Sequence, residues 1–231
     1  MIKNIFFDLD DTLLDFKMAE KHALQKTLFA HGIEPTPETV ALYSQINISQ
    51  WKLLEKGELD RPTLKVRRFA LLAETLGLDF DPKAVAAAYE DNLAIGHFFI
   101  DGAPELLTAL HGRYRLYIVT NGFAKVQRSR LASAKIVSLF DGIFISQEIG
   151  AEKPSLDFFN ACFERIPHFS KSETLLIGDS LTSDIQGGLQ AGLTTVLFCP
   201  GEKPSSDIRA NHEIAHLTEL EALLKKLNQN S

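Results

Sequence analysis

Only two cysteines, one tryptophan and two methionines occur in this 231-residue sequence. Cys162 and Cys199 are too few for a disulfide framework and neither lies in a CxxC pair, so both read as buried free thiols of a reducing compartment. No apolar run approaches the ~18 residues of a membrane span. The N-terminus lacks the pattern of a signal peptide, because the acid Asp8 follows directly on Ile5-Phe6-Phe7. Runs of Lys and Arg are missing too. With 24 basic against 30 acidic residues the net charge is −6, a poor balance for holding nucleic acid by its phosphates. The expectation is a soluble cytoplasmic protein with no nucleic-acid polymer and no membrane as partner. A small anionic ligand stays open, since a local site can differ in sign from the whole.

What is present is a foldable pattern: apolar residues make up 45% and charged residues 23%, close to the globular average and far from disorder. Ile2–Leu9 is a nearly continuous apolar run that stops at acids, as a strand buried on both faces would. The period is helical from Phe16 to about Gly96. Lys17–His31 closes at Gly32, and Thr36-Pro37-Glu38 opens the next helix with a cap and a proline. Phe69, Leu72, Ala73 and Leu76 repeat at i, i+3, i+4, i+7 before Gly77, and Val85, Ala88, Tyr89 and Leu93 repeat the pattern. Beyond Asp101-Gly102 helices and strands alternate. Strands are expected at 115–120, 142–146, 174–177 and 194–198, with helices at 104–111, 125–134, 156–165 and 184–191. Alternation of this kind predicts a parallel sheet covered on both faces. The fold class is therefore α/β, a doubly wound (Rossmann-like) parallel sheet with an inserted α-helical cap. Core is expected at 1–15 and 98–231, cap at 16–97, and a closing helix near Leu217–Leu227.

Ligands of open parallel sheets bind beyond the carboxyl ends of the strands. There stand Asp8-Leu9-Asp10-Asp11-Thr12, Thr120-Asn121-Gly122, Lys153-Pro154, and Gly178-Asp179-Ser180 with Asp184 close behind. Each cluster alone is ordinary: Asp10-Asp11-Thr12 and Thr120-Asn121-Gly122 also read as turns, and Lys153-Pro154 as a solvated loop. Gly187-Gly188 and Gly192 follow a helix instead of opening one, so they are no phosphate loop, and Gly192 reads as a C-cap. The weight lies in four polar clusters at successive strand ends. Asp8, Asp10 and Asp179 offer hard oxygen ligands with room for water and a phosphate oxygen, which suits Mg²⁺. Thr120, Asn121 and Lys153 add donors and positive charge for a phosphate dianion. One Asp would attack phosphorus and the other act as acid and base; spacing does not say which.

These four clusters, beginning with Asp8-Leu9-Asp10-Asp11-Thr12-Leu13, resemble in order the motifs of the haloacid dehalogenase-like hydrolase superfamily, and the resemblance spans the chain. It implies Asp8 as nucleophile and Asp10 as general acid/base. It further implies Mg²⁺ bound by the Asp8 carboxylate, the Asp10 carbonyl and Asp179, with Asp184 in support, and Thr120 and Lys153 holding the phosphoryl group. Asp11 departs from the glycine most common there. The second acid, Asp10, favours phosphate-ester hydrolysis over dehalogenation. Asn47 to Trp51, Arg68-Phe69 and Thr120-Asn121-Gly122-Phe123 resemble the branch of pyrimidine 5′-nucleotidases acting on nucleoside monophosphates, including noncanonical ones. Phe16, Trp51 and Phe69 could stack on a base or simply pack the cap.

The expected partner is thus a small phosphorylated metabolite, first a nucleoside monophosphate; monomer and homodimer are both open. The alternatives are a phosphatase or phosphomutase for sugar phosphates or phosphoglycolate, and an idle phospholigand-binding module. His212-Glu213-Ile214-Ala215-His216 matches HExxH, the zinc-protease pattern. Its alternation reads instead as a final strand, with the two His too far apart to share a zinc ion easily. The other His residues read as structural or surface.

Overall fold

The structure is a computed structural model that describes residues 1–202 and 205–229. In chain order the elements are β1 (Asn4–Phe7), α1 (Phe16–Ala30), α2 (Pro37–Glu55), α3 (Arg61–Leu76), α4 (Pro82–Leu93) and α5 (Ala103–Leu110). Then come β2 (Arg115–Thr120), α6 (Ala124–Ser133), β3 (Gly142–Ile145), α7 (Ser146–Ile149), α8 (Leu156–Glu164) and β4 (Thr174–Gly178). The chain closes with α9 (Gly187–Ala191), β5 (Thr194–Phe198), β6 (His212–Ile214) and α10 (Glu219–Gln229).

Among the described residues six strands form one parallel sheet, in the order β3-β2-β1-β4-β5-β6. Strand order reverses at β1, so the crevice beyond β1 and β4 is the place where this topology leaves room for a ligand. Side chains alternate across the sheet. Ile5, Phe7, Ile118, Leu175 and Ile177 pack on one face with Leu106, Leu110, Leu220 and Leu224 of α5 and α10. Phe6, Tyr117, Val119 and Leu176 pack on the other with Phe158, Phe159 and Cys162 of α8. Burial pushes the Cys162 thiol up to about 12. Both cysteines are free, but Cys199 is only half-buried, because it lies just past the end of β5.

Helices α1–α4 have a hydrophobic cluster of their own, including Leu24, Leu28, Tyr43, Phe69, Leu72 and Tyr89. Their ends follow from local chemistry. Asp15, Thr36, Asp60 and Asp81 accept backbone N–H bonds as N-caps, with proline in the first turn of α2, α3 and α4, and α3 stops at left-handed Gly77. Chain enters and leaves this helical insertion side by side: Leu14 bridges Phe99, and the Asp15 amide donates to the Phe98 carbonyl at 2.8 Å.

Three expectations shift. Hydrogen-bonded strand covers only Asn4–Phe7 within the predicted 2–9, although Leu9 is fully buried as loop. Ser146 opens α7 instead of ending β3. The predicted helix at 184–191 divides into a wide π turn, Leu181–Gln186, followed by α9. Close packing explains the glycines there. A Cβ on Gly188 would lie 2.7 Å from Leu176 and Thr195 atoms, so Gly188 seats the helix on the sheet. Gly192 is the left-handed cap of α9 as expected.

Candidate active site

Four chain segments meet at the reversal of strand order. Asp8 follows β1, its amide still donating to Ile177 of β4 at 2.9 Å. Thr120 ends β2, Lys153 lies between α7 and α8, and Asp179 follows β4. The π turn then swings Asp184 back toward them. A Cβ on Gly178 would come within 2.3 Å of the Asp184 carboxylate, so only glycine at that position lets Asp184 enter.

Carboxylate oxygens of Asp8, Asp179 and Asp184 all lie within 4.8 Å of one another. The Lys153 ammonium, 1% exposed, donates to Asp8 Oδ1 and Asp184 Oδ1 at 2.6 Å each and to the Val119 carbonyl at 2.7 Å. Burial works to lower its pKa, but the Asp184 and Asp8 carboxylates together outweigh that and hold it above its ordinary value. Burial lifts the Asp8 carboxyl well above the carboxylate range; Lys153 opposes this, while Asp184, Asp179 and Asp10 add to it. Asp179 is pushed up to about 7, by burial first and then by Asp184 and Asp11. One ammonium among three acids leaves negative charge in excess. A hard cation with oxygen ligands, Mg²⁺ above all, fits that donor set.

Asp10 turns elsewhere. Its side chain is held by two residues of α6, Gln127 at 2.6 Å and the buried Arg130, whose Nε also donates to the Gly96 carbonyl at 2.8 Å. Gln127 additionally donates to Thr120 Oγ1 at 2.9 Å, tying Asp10 to the end of β2. Neither Gln127 nor Arg130 belongs to any of the four strand-end clusters. Their one signal is the i, i+3 spacing on α6, which puts both on the same helix face. Asp11 has φ +56°, a left-handed conformation that Asp and Asn tolerate better than bulkier residues. Its carboxylate accepts from the Phe16 and Lys17 amides at 2.9 and 3.3 Å. Glycine adopts such a φ without cost, so an acid in place of the glycine expected here meets the same backbone requirement.

Asn121 reaches the site but its amide is committed to Lys153. Nδ2 donates to the Lys153 carbonyl and Oδ1 accepts from the Lys153 amide, both at 2.9 Å. It joins two loops.

Above these residues is a cleft of about 350 Å³. The helical insertion lines it with Phe16, Asn47, Trp51 and Arg68, and the sheet side with Asp8, Asp10, Lys153 and Asp179. Arg68 is buried, donates to Asn47 Oδ1 at 3.0 Å and lies over Tyr89. Phe69 does not line the cleft: it is fully buried between Tyr43 and Tyr89, so of the three candidate stacking rings it packs the insertion. His212 lies on β6, paired with Val196 of β5, at the far edge of the sheet from β1. Among the described residues, the one set of acids, Cys and His close enough to share a metal is Asp8, Asp179 and Asp184. No helix of the described residues is long and apolar enough to cross a membrane.

This fold and the four strand-end clusters define a class. The chain belongs to the haloacid dehalogenase-like hydrolases, whose family model matches residues 2–192. Among individual proteins it is similar to Bacillus subtilis (strain 168) YfnB, described as a HAD-hydrolase. Identity is 40% over 223 residues, covering 96% of this chain and 95% of that one. The crystal structure of YfnB superposes with a TM-score of 0.92 over 96% of this chain and 98% of that chain; it was solved bound to magnesium and reveals interdomain movement. The pyrimidine 5′-nucleotidase PynA of Streptococcus pneumoniae (strain ATCC BAA-255 / R6) is 39% identical over 86% of this chain and 84% of its own length. The pyrimidine 5′-nucleotidase YjjG of Escherichia coli (strain K12) is 32% identical over 96% and 97%.

Proposed function

We propose that this protein is a Mg²⁺-dependent phosphatase that hydrolyses pyrimidine nucleoside 5′-monophosphates through an aspartyl-phosphate. The observation that carries the reading is the buried Lys153 bridging Asp8 and Asp184 at the floor of a cleft whose other wall is the helical insertion. Residues 16–97 serve as the cap over the core formed by 1–15 and 98–231.

Asp8 is the nucleophile. Lys153 holds its Oδ1, and its other oxygen forms the new bond to phosphorus as the bond from phosphorus to the ester oxygen breaks. Asp10 gives its proton to that departing oxygen. It then takes a proton from a water molecule, which attacks the aspartyl-phosphate and releases inorganic phosphate with Asp8 regenerated. Gln127 and Arg130 anchor the Asp10 carboxyl beside the end of β2, at the rim of the cleft. Thr120 and Lys153 bind the phosphoryl oxygens, and Asn121 keeps their two loops in register. Asp8, the Asp10 carbonyl and Asp179 would hold Mg²⁺, with Asp184 in support. When bound, the ion supplies positive charge against the phosphoryl oxygens and lets an anionic nucleophile approach an anionic substrate.

The cap supports a planar, polar leaving group. Phe16 and Trp51 offer ring faces, and Asn47 and Arg68 offer hydrogen-bond donors. Two relatives named pyrimidine 5′-nucleotidases, at 39% and 32% identity, support the same choice. The deciding experiment is a phosphate-release panel with Mg²⁺: UMP, dUMP and dTMP against purine monophosphates, a sugar phosphate and phosphoglycolate. Higher kcat/KM on the pyrimidine set is expected. Equal rates throughout, or a preference for the sugar phosphate, would overturn the nucleotidase assignment.

A further inference from the structure

Arg61, at the start of α3, is a cap residue whose side chain crosses to the core. Its side chain is 11% exposed. Nη2 donates to the Asn121 carbonyl at 2.7 Å and to Ser146 Oγ at 2.6 Å, Nη1 to the Gly122 carbonyl at 3.3 Å, and Nε to Glu152 Oε1 at 3.1 Å. The guanidinium also lies over the rings of Trp51 and Phe123, 5.7 and 5.4 Å from their centroids. Trp51 belongs to the cap and Phe123 to the core, and the two rings meet edge to face at 5.6 Å.

The four acceptors are not scattered. Asn121 and Glu152 are the immediate neighbours of Thr120 and Lys153, and Asn121 and Lys153 are already joined by their reciprocal amide bonds. One cap side chain thus grips both loops that hold the phosphoryl group, without itself lining the cleft. Among the described residues the other ion pairs between cap and core, Lys125 with Asp91 and Lys17 with Asp11, each have a mostly exposed lysine, a setting in which such pairs contribute little. A planar guanidinium with five N–H donors can satisfy a carboxylate, a hydroxyl and two carbonyls at once; an ammonium cannot.

We propose that Arg61 is a positioning residue: it latches the cap onto the two phosphate loops and so holds the leaving-group wall, with Trp51, Asn47 and Arg68, over Asp8 and Lys153. The proposal rests on the phosphatase reading for its catalytic consequence but not for the latch itself. The loops keep their own Asn121–Lys153 bonds without Arg61. Its loss therefore releases the cap and leaves the phosphate floor in place.

The single tryptophan lies in the latch, so it reports closure without substrate. Arg61→Ala is expected to red-shift Trp51 emission, increase its quenching by acrylamide and enlarge the radius of gyration in small-angle scattering. An emission change without a change in scattering would mean a merely local effect and overturn the latch, as would no change in either. In turnover, kcat on UMP is expected to fall about 10²-fold with KM within about threefold, because the defect is geometric. Acetyl phosphate, too small to reach the cap, should lose less than about threefold. Equal losses on both substrates would make Arg61 a support of the loops alone and overturn the proposal. Arg61→Lys keeps the charge without the fork and should behave like the alanine variant, which covers a failure of the latter to fold; full recovery would overturn the latch. Glu152→Gln, which keeps an acceptor, should retain wild-type emission and scattering. If the wild type hydrolyses no nucleoside monophosphate, the nucleotidase reading fails while fluorescence and scattering still decide the latch.

Discussion

The two walls of the cleft are built on opposite plans. On the sheet side Asp8, Lys153 and Asp184 are buried and pair with one another, so the wall is a fixed array of charge set by strand ends. On the helical side Phe16, Trp51, Asn47 and the buried Arg68 form a wall of rings and donors, set by which helix face turns inward. A fixed array near the reacting atoms suits chemistry common to many substrates, and a replaceable helical wall suits discrimination among them. Substitutions on the sheet side should then lower all activities together, and those on the helical side should change ratios between substrates.

The largest effect is expected from Asp8→Asn, a loss on the order of 10⁴-fold or more in kcat on UMP and acetyl phosphate alike. Retained activity on either would break the division of labour at its base. Lys153→Met comes next. It leaves Asp8 and Asp184 buried without their partner, and removing one member of a buried pair costs roughly 3–5 kcal/mol, to be read from urea denaturation.

Metal should restore part of what burial costs. With Asp179 raised to about 7 and Asp8 raised as well, the native cluster keeps protons that the unfolded chain has released above about pH 4. That contribution to stability is present at low pH and is lost as pH rises through about 7. In EDTA the Tm should therefore be penalised more at pH 8 than at pH 5. Excess Mg²⁺ should raise it by ~5–10 °C at pH 8 and by less at pH 5. An equal rise at both values would contradict the cluster as the binding site.

On the helical side, Arg68→Met keeps volume and removes donors. It should lower kcat/KM for UMP relative to acetyl phosphate by about 10- to 100-fold, the worth of a hydrogen bond to a charged group; a parallel fall on both would blur the two walls into one. His212→Ala, on the far edge strand, should leave kcat on either substrate within about twofold.

The two walls were also unequally legible in the sequence. A parallel strand buried on both faces is apolar until it ends, so Asp8, Thr120 and Asp179 stand out at the point where polarity returns. Their order along the chain carries the topology with it. A helix offers no such full stop. Trp51 and Phe69 are both aromatic residues on periodic helices, yet one lines the cleft and the other is sealed between tyrosines, a difference decided by how α2 and α3 are rotated against α6 and the core. Gln127 and Arg130 were hidden for another reason: their partner Asp10 is more than a hundred residues away in sequence, and only the fold makes them neighbours. The HExxH match was legible for what it is: its alternation already reads as a strand, and it pairs with β5.

The side-by-side passage of Leu14–Asp15 and Phe98–Phe99 bears on how such a chain is assembled and altered. The two ends of the helical insertion are one hydrogen bond apart, so the sheet experiences them as a closed junction whatever lies beyond. Closing a longer loop at that junction costs little, about 0.6 kcal/mol for each doubling of its length. Insertions of quite different size and shape could occupy the same doorway without disturbing a strand. A chimera carrying a foreign helical segment between Asp15 and Phe98 would keep the hydrolytic floor and exchange its clientele.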